Sequence, residues 1–491
     1  MATSGQARQS TATTVAGGLG VAVPPFPDAA SAPELAFTGL AEQARLLAER
    51  KVSSRELVAL SLERIEAAQP RLNAFRVVCA EAALEEADRA DVRLRGGDGG
   101  AHAPLLGVPI AIKDDVDMAG HSTPFGCGGE VEVSRADAEL VRRLRRAGAI
   151  VVGKTHAPEV GQWHFTESPT FGATRNPWHT DHAPGGSSGG AAAAVAAGLV
   201  AGAIGSDGAG SIRIPAAWCG LVGLKPQRGR ISTWPDPEAF HGLTVLGPLA
   251  RSAADAALLL DAVAGNVPAD LHQPAPPAEP FAAGAARDPG RLRVAISLKV
   301  PFGIHDRLCD EHRTATFAMA GRLEALGHEV VEADLDYGLV APALVPRGTV
   351  GVRDWIRDHA IDRKALEPRT RVHARLGTLL SGPALRASRA AEPALRRRLA
   401  RTFERHDVVL TPVTAVPPPP IGHYDGRGYW ATGSAASESC PFAFPWNVTG
   451  WPAISVPNGL TSTGLPIGAQ FLAHEGQEAL LLALARQLEG A

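Results

Sequence analysis

Two stretches of the chain gather groups suited to nucleophilic chemistry. The first, 183-APGGSSGGAAAAVAAG-198, sets Ser187 and Ser188 among glycines directly ahead of an alanine-rich segment. The second, 206-SDGAGSIRIPAAWCG-220, ends a run of small residues on Ser211. A serine hydroxyl attacks a carbonyl only when a neighbour takes its proton. Backbone N–H groups left uncovered by small side chains can then hold the oxyanion that develops. Gly208, Ala209, Gly210 and Ser211 offer such amides, and Ser211 stands where a nucleophile adding its own amide to the hole would stand. It has no adjacent histidine, so its base must come from elsewhere in the chain. Asp207 and Arg213 flank the run as a pair that would brace it.

The first stretch has several readings. It contains G-x-S-x-G as 185-GGSSG-189, the form of a nucleophile elbow in which Ser187 would attack, as in an α/β-hydrolase-type esterase. That elbow follows a buried strand, whereas 176-NPWHTDHAPGG-186 carries two prolines with charged and imidazole groups. A phosphate loop lacks its G-K-[ST]. On this stretch alone, Ser187 or Ser188 as a plain helix cap stays open.

The elements around these motifs alternate between helix and strand. Helices are expected over 39–50, 53–68, 81–95, 136–147, 254–265, 309–326 and 384–405. Ser53 and Glu56 form a capping box, and Pro70 is expected to stop the second helix. Apolar runs at 107–113, 149–154, 199–205, 291–298, 328–335, 407–413, 450–459 and 465–473 read as strands. The strand 107-GVPIAIK-113 ends on Lys113, followed by Asp114 and Asp115. The strand 199–205 delivers the chain to Asp207. Residues 1–35 read as a flexible tail, 36–491 as one large α/β domain, 266–291 as a Pro/Ala-rich connection, and 300–405 as a helical subregion.

With 491 residues, 45% hydrophobic and 20% charged, the chain has an ordinary globular composition. A net charge of −3 with no basic run argues against a nucleic-acid surface. Five scattered cysteines without C-x-x-C spacing read as reduced thiols, not as a disulfide framework or a zinc site. Neither a secretory signal nor an apolar run long enough to span a membrane is found, so a cytoplasmic location is expected.

The motifs resemble the amidase signature family. The likeness runs through 107-GVPIAIKDDVD-117, 153-GKTHAPEVG-161, 174-TRNPWHTDHAPGGSSGGAAAAVAAG-198, 205-GSDGAGSIRIPAAWCGLVGLKP-226 and 246-LGPLARSAADAALLLDAVAG-265. It continues in 444-FPWNVTGWPAISVPNG-459 and 464-GLPIGAQ-470. The resemblance implies a single large domain, with a central mixed, mainly parallel, twisted sheet covered by helices on both faces. It implies Ser211 as acyl-accepting nucleophile, Ser187 as the bridging serine after a cis Gly186–Ser187 peptide, and Lys113 as base. Ser188, Asp207 and Arg213 would support them. The implied reaction is hydrolysis of a small-molecule amide by water through an acyl-enzyme, with esters, anilides or carbamates as side substrates. No metal or organic cofactor is implied; a homodimer is compatible with all of this.

For Lys113 to act as a base it must be neutral, although a free lysine titrates near 10.4. Burial at the end of an apolar strand disfavours the ammonium form, and the positive end of the helix beginning at Ser188 presses the same way. Nearby carboxylates oppose this. Strand alternation puts Asp115 on the side of Lys113 and Asp114 on the other. Asp115 is therefore expected to be turned away or engaged by backbone donors, with Lys113 hydrogen-bonded to Ser187. Many relatives carry glycine where this chain has Ala209; a methyl fits if φ stays negative.

Amidotransferase subunits of this family, which hydrolyse glutamine, usually read S-I-R-Q-P after the nucleophile. This chain has Ile214 in Ser211-Ile212-Arg213-Ile214-Pro215, which fits a free-standing enzyme with a less polar pocket. An idle binding protein of this family is disfavoured by the presence of Lys113, Ser187 and Ser211 together. Tyr424, Tyr429, Trp430, Phe442, Phe444 and Trp446 cluster late in the chain and are expected to form an aryl-accepting cleft, with Trp163 and His164 as further candidates.

Overall fold

Along Pro109–Lys113, Ile110 and Ile112 enter one hydrophobic core while Ala111 enters another. The strand Ile150–Thr155 repeats this, with Val151 in the first core and Ile150 and Val152 in the second. Successive side chains on a strand point to opposite faces, so a strand feeding two cores lies in a sheet covered on both sides. The first core is completed by the helices Glu139–Arg146, Ala253–Val263, Asp310–Ala325 and Glu478–Glu489. The second is completed by Ser54–Leu72, Ala80–Arg95, Gly189–Ala196 and Arg213–Cys219. Burying each such isoleucine contributes about 1.5–3 kcal/mol.

The structure, a computed structural model, describes residues 33–97 and 103–491. Its strands are β1 (Phe75–Val78), β2 (Pro109–Lys113), β3 (Ile150–Thr155), β4 (Glu167–Ser168), β5 (Gly172–Ala173), β6 (Gly202–Asp207), β7 (Val222–Lys225), β8 (Val245–Ala250), β9 (Arg293–Ile296), β10 (Glu329–Glu332), β11 (Val408–Pro412), β12 (Ala453–Leu460) and β13 (Pro466–Leu472). Eleven form one sheet in the order β1-β3-β2-β6-β8-β7-β12-β13-β11-β9-β10, and β4 pairs separately with β5. The sheet is mixed, as expected, but antiparallel neighbours outnumber parallel ones by six to four. Part of the reason is local. β12 and β13 are joined by a tight turn closed by the N–H of Thr461 on the carbonyl of Leu465, and so short a connection permits only an antiparallel pair.

Other expectations shift in detail. The capping box of Ser53 and Glu56 is formed, but the helix runs through Pro70 to Leu72 before Asn73 turns left-handed. Pro70 lies in the last turn, where few backbone bonds remain to be lost. Of the expected tail, residues 1–32 lie outside the described residues, and a short helix, Pro33–Phe37, takes up its end. The connection 266–291 contains the helix Phe281–Ala285. The 300–405 region is largely helical, with Val340–Asp358, Pro368–Leu379 and Pro383–Phe403 following β10.

Candidate active site

β2 and β6 run side by side and parallel, with Ala111 opposite Ala203 and Ile112 opposite Ile204. Their carboxyl ends finish together, bringing Lys113 beside Ser206 and Asp207. Sites in open α/β sheets gather at such ends.

The glycine-rich turn closes over this point. The peptide Gly186–Ser187 is cis, as the resemblance implies. Ser188 heads the helix Gly189–Ala196 without a side-chain cap. Its hydroxyl instead donates to the carbonyl of Ser206 at 3.1 Å and accepts from the Ser206 N–H at 3.2 Å. Its own N–H donates to the Ser211 carbonyl at 3.1 Å. Ser188 thus ties the turn both to β6 and to the loop that presents Ser211. Gly205 makes the approach feasible, because a Cβ there would stand 2.7 Å from Ser188 Oγ. Every residue of the alanine helix is buried. The carbonyls at its far end are satisfied by Arg64 on Ala197 and Gly198, each at 3.0 Å, and by Arg251 on Val195 at 2.9 Å.

Lys113 is fully buried. Its Nζ lies 2.6 Å from Ser187 Oγ and 2.7 Å from Ser206 Oγ, with the Phe125 ring centroid at 5.2 Å. Asp114 faces the opposite way, held by Arg76 at 2.7 Å and Lys154 at 3.1 Å. The expectation for Asp115 needs correcting. It is not turned away, and its donor is a side chain: Oδ2 accepts from the Ser206 hydroxyl and remains 3.4 Å from Lys113 Nζ. Burial pushes the Lys113 amine below its ordinary lysine value, and the charges of Asp115 and Asp207 offset only part of that.

Asp207 and Arg213 pair through two contacts of 2.9 Å, both fully buried. Burial alone would raise the Asp207 carboxyl, but Arg213, Lys225 and Asn447 hold it well below the usual carboxylate range. Arg213 continues to the Asn447 and Gln470 side-chain oxygens, each at 2.7 Å, so the short helix Pro445–Thr449 and β13 brace the loop as well. Asp207 Oδ1 also accepts from the Gly210 N–H at 2.7 Å. That bond corrects the expected set of oxyanion donors: the Gly210 amide is spent inside the loop, leaving Gly208, Ala209 and Ser211. Gly210 serves by its shape, with φ at +124° and space for a Cβ closed 2.7 Å away by Ala443 and Ile214. Ala209 keeps a negative φ.

Ser187, Ser206, Gly208, Ala209 and Ser211 open onto one cavity of about 260 Å³. Tyr429, Phe444, Trp163, His164 and Ile214 line it. Trp430 and Trp446 do not: Trp430 is 71% exposed on the outer face of its helix, and Trp446 is buried in a separate core with Leu399 and Val448. Tyr424 is also set back, stacked on Phe165 at 4.6 Å and hydrogen-bonded to His164 at 2.8 Å, while Phe442 packs against Leu308 and Ala415. Sequence reasoning missed two walls. Leu344, Gly348 and Val352 face the cavity from the helix Val340–Asp358, and Gly433, Ala436, Ser437 and Cys440 face it from Tyr429–Ser439 and the residue after it. Their i, i+4 spacings are the signal that could have revealed them. The cysteines Cys79, Cys127, Cys219, Cys309 and Cys440 are all free.

The family model described as Amidase matches residues 56–482. AmiA2 of Mycobacterium tuberculosis is 52% identical over 445 residues, covering 90% of this chain and 91% of the relative. A glutamyl-tRNA(Gln) amidotransferase component from a Synechococcus strain is 36% identical over 470 residues, covering 90% of this chain and 94% of the relative. Among solved structures, 6-aminohexanoate cyclic dimer hydrolase superposes with a TM-score of 0.85 at 33% identity, covering 93% of this chain and 97% of its own. The chain belongs to the amidase signature family and is a hydrolase of carbon–nitrogen bonds in non-peptide amides.

Proposed function

We propose that this hydrolase works by two-step acyl transfer through Ser211 on small, largely apolar amides. The contact that carries the reading is the 2.6 Å hydrogen bond between Lys113 Nζ and Ser187 Oγ at the wall of the cavity that Ser211 shares. Lys113, its amine biased toward the neutral form by burial, draws the Ser187 proton as Ser187 takes that of Ser211. Ser211 Oγ then bonds to the substrate carbonyl carbon. The amides of Ala209 and Ser211, with Gly208 beside them, hold the oxyanion. Collapse breaks the C–N bond, and the proton returns through Ser187 to the departing amine. Water adds to the acyl-enzyme by the same relay, releasing a carboxylate and restoring Ser211.

The cavity volume falls at the small end of ligand pockets, which typically start near 300 Å³. Its walls are mostly apolar, with Gln162, Thr244 and His373 among the few polar groups. That favours compact aryl or branched aliphatic amides, with activated esters and carbamates as side substrates. Ile214 in the wall supports a free-standing amidase over a glutamine-hydrolysing subunit. The test is turnover by the isolated chain across aryl, aliphatic and peptide amides and glutamine. Hydrolysis of a simple aryl amide with none of glutamine is expected; the reverse would overturn the substrate class.

A further inference from the structure

A second chamber, of about 310 Å³, shares part of its wall with the first. Phe125, Ser206, Phe240 and Thr244 line both and form the partition between them. Its chemistry differs sharply. Six carboxylates line it against one guanidinium, Arg357, and two imidazoles, His241 and His359.

Most of these acids are already matched. Glu238 is paired with Arg389 and with His272 at 3.1 Å. Asp354 meets His241 and Arg357, each at 3.0 Å, and Asp358 meets Arg357 at 2.7 Å. Asp117 Oδ1 accepts from Thr123 at 2.7 Å and Ser134 at 2.8 Å. Asp236, on an exposed turn, makes no side-chain hydrogen bond or salt bridge among the described residues. Asp115 is the informative one. Its side chain is only 6% exposed and its Oδ2 is held by Ser206, yet its Oδ1 is buried without a hydrogen-bond partner. Asp115 lines the second chamber and not the first.

A buried carboxylate oxygen left unpaired is destabilising, so a donor from the chamber that reached Asp115 would bind with that gain. The remaining wall includes Trp234, Trp355, Phe125 and Phe240, which attract a cation through their ring faces. A hard metal ion needs six or more oxygens, and most of those present are committed. We propose that this chamber is a binding site for a primary organic ammonium ion, whose N–H donates to Asp115 Oδ1 while the aromatic wall takes up its hydrocarbon body. Asp236 adds charge at the opening. The site stands whether or not Ser211 is the group acylated.

The test uses the full chain with 4-bromobenzylammonium, and the neutral 4-bromobenzyl alcohol as control. Calorimetry is expected to show binding of the ammonium at least about tenfold tighter than the alcohol, and crystals soaked with it a bromine anomalous peak in the second chamber. Asp115→Asn should weaken the ammonium about tenfold or more, and Asp236→Asn several-fold. Equal affinity for the alcohol, a peak beside Ser211, no peak, or unchanged binding in both variants would overturn the proposal. Should Asp115→Asn fail to fold, Asp236→Asn and the bromine position decide it.

Discussion

Ser187 Oγ sits 2.6 Å from Lys113 Nζ, and behind that amine the carboxylate of Asp115 stands at 3.4 Å, joined to it also through Ser206. The base of the proposed relay is therefore poised between two influences, burial that favours its neutral form and a carboxylate that favours its charge.

The single substitutions should rank in a definite order. Ser211→Ala is expected to abolish turnover of an aryl amide, and Lys113→Ala to lower kcat/KM by about 10³-fold or more, within the range and upper reach of general-base effects. Ser187→Ala should cost less than Ser211→Ala. Steady-state kinetics of the three purified variants checks the order; an active Ser211→Ala beside an inactive Ser187→Ala would make Ser187 the nucleophile.

The pH profile follows from the sign of the Lys113 shift. A base that must be neutral loses activity as pH falls through its pKa, and burial moves that limb below the ordinary lysine range. Asp115 favours the protonated form, so Asp115→Asn should move the limb to still lower pH. A pH–kcat/KM profile that stays fixed or moves upward in this variant would contradict the coupling.

The buried ion pair under the nucleophile loop predicts a stability effect. Arg213→Leu leaves Asp207 and Asn447 without their main partner, and breaking such a pair typically costs about 3–5 kcal/mol. Denaturant unfolding should show a loss of that size. A loss below about 1 kcal/mol would mean that the loop is braced by other contacts.

Substrate choice should respond to the inner wall and ignore the outer aromatic. Leu344→Ala enlarges the cavity and should raise relative turnover of bulkier amides, whereas Trp430→Ala should leave the profile unchanged. A screen across acyl groups of graded size checks both.

Most of the site was legible in the chain because its chemistry is packed into short motifs. Lys113 ends an uninterrupted apolar strand, and Ser187, Asp207, Ser211 and Arg213 lie in two stretches where small residues leave little ambiguity. What was hidden depends on distance in sequence. Nothing local to Asp115 shows that Ser206 will meet it, since that contact arises only where β2 and β6 end side by side. The Gly210 amide looked free because its acceptor, Asp207 Oδ1, turns back within the same loop. Trp430 and Tyr429 are adjacent in sequence, yet a helix sends neighbours to different faces, so one lines the cavity and the other meets solvent. Within the 300–405 region the chain stays helical through Pro346, which sets Leu344 and Val352 on one helix.

The most direct test of the relay is to catch the acyl group. With a slowly deacylating aryl ester, an intact-mass increase of one acyl group is expected, with peptide mapping placing it on the fragment containing Ser211. The adduct should be absent in Ser211→Ala and should form far more slowly in Lys113→Ala. An acyl group mapped to Ser187, or one that forms at the same rate without Lys113, would contradict the relay.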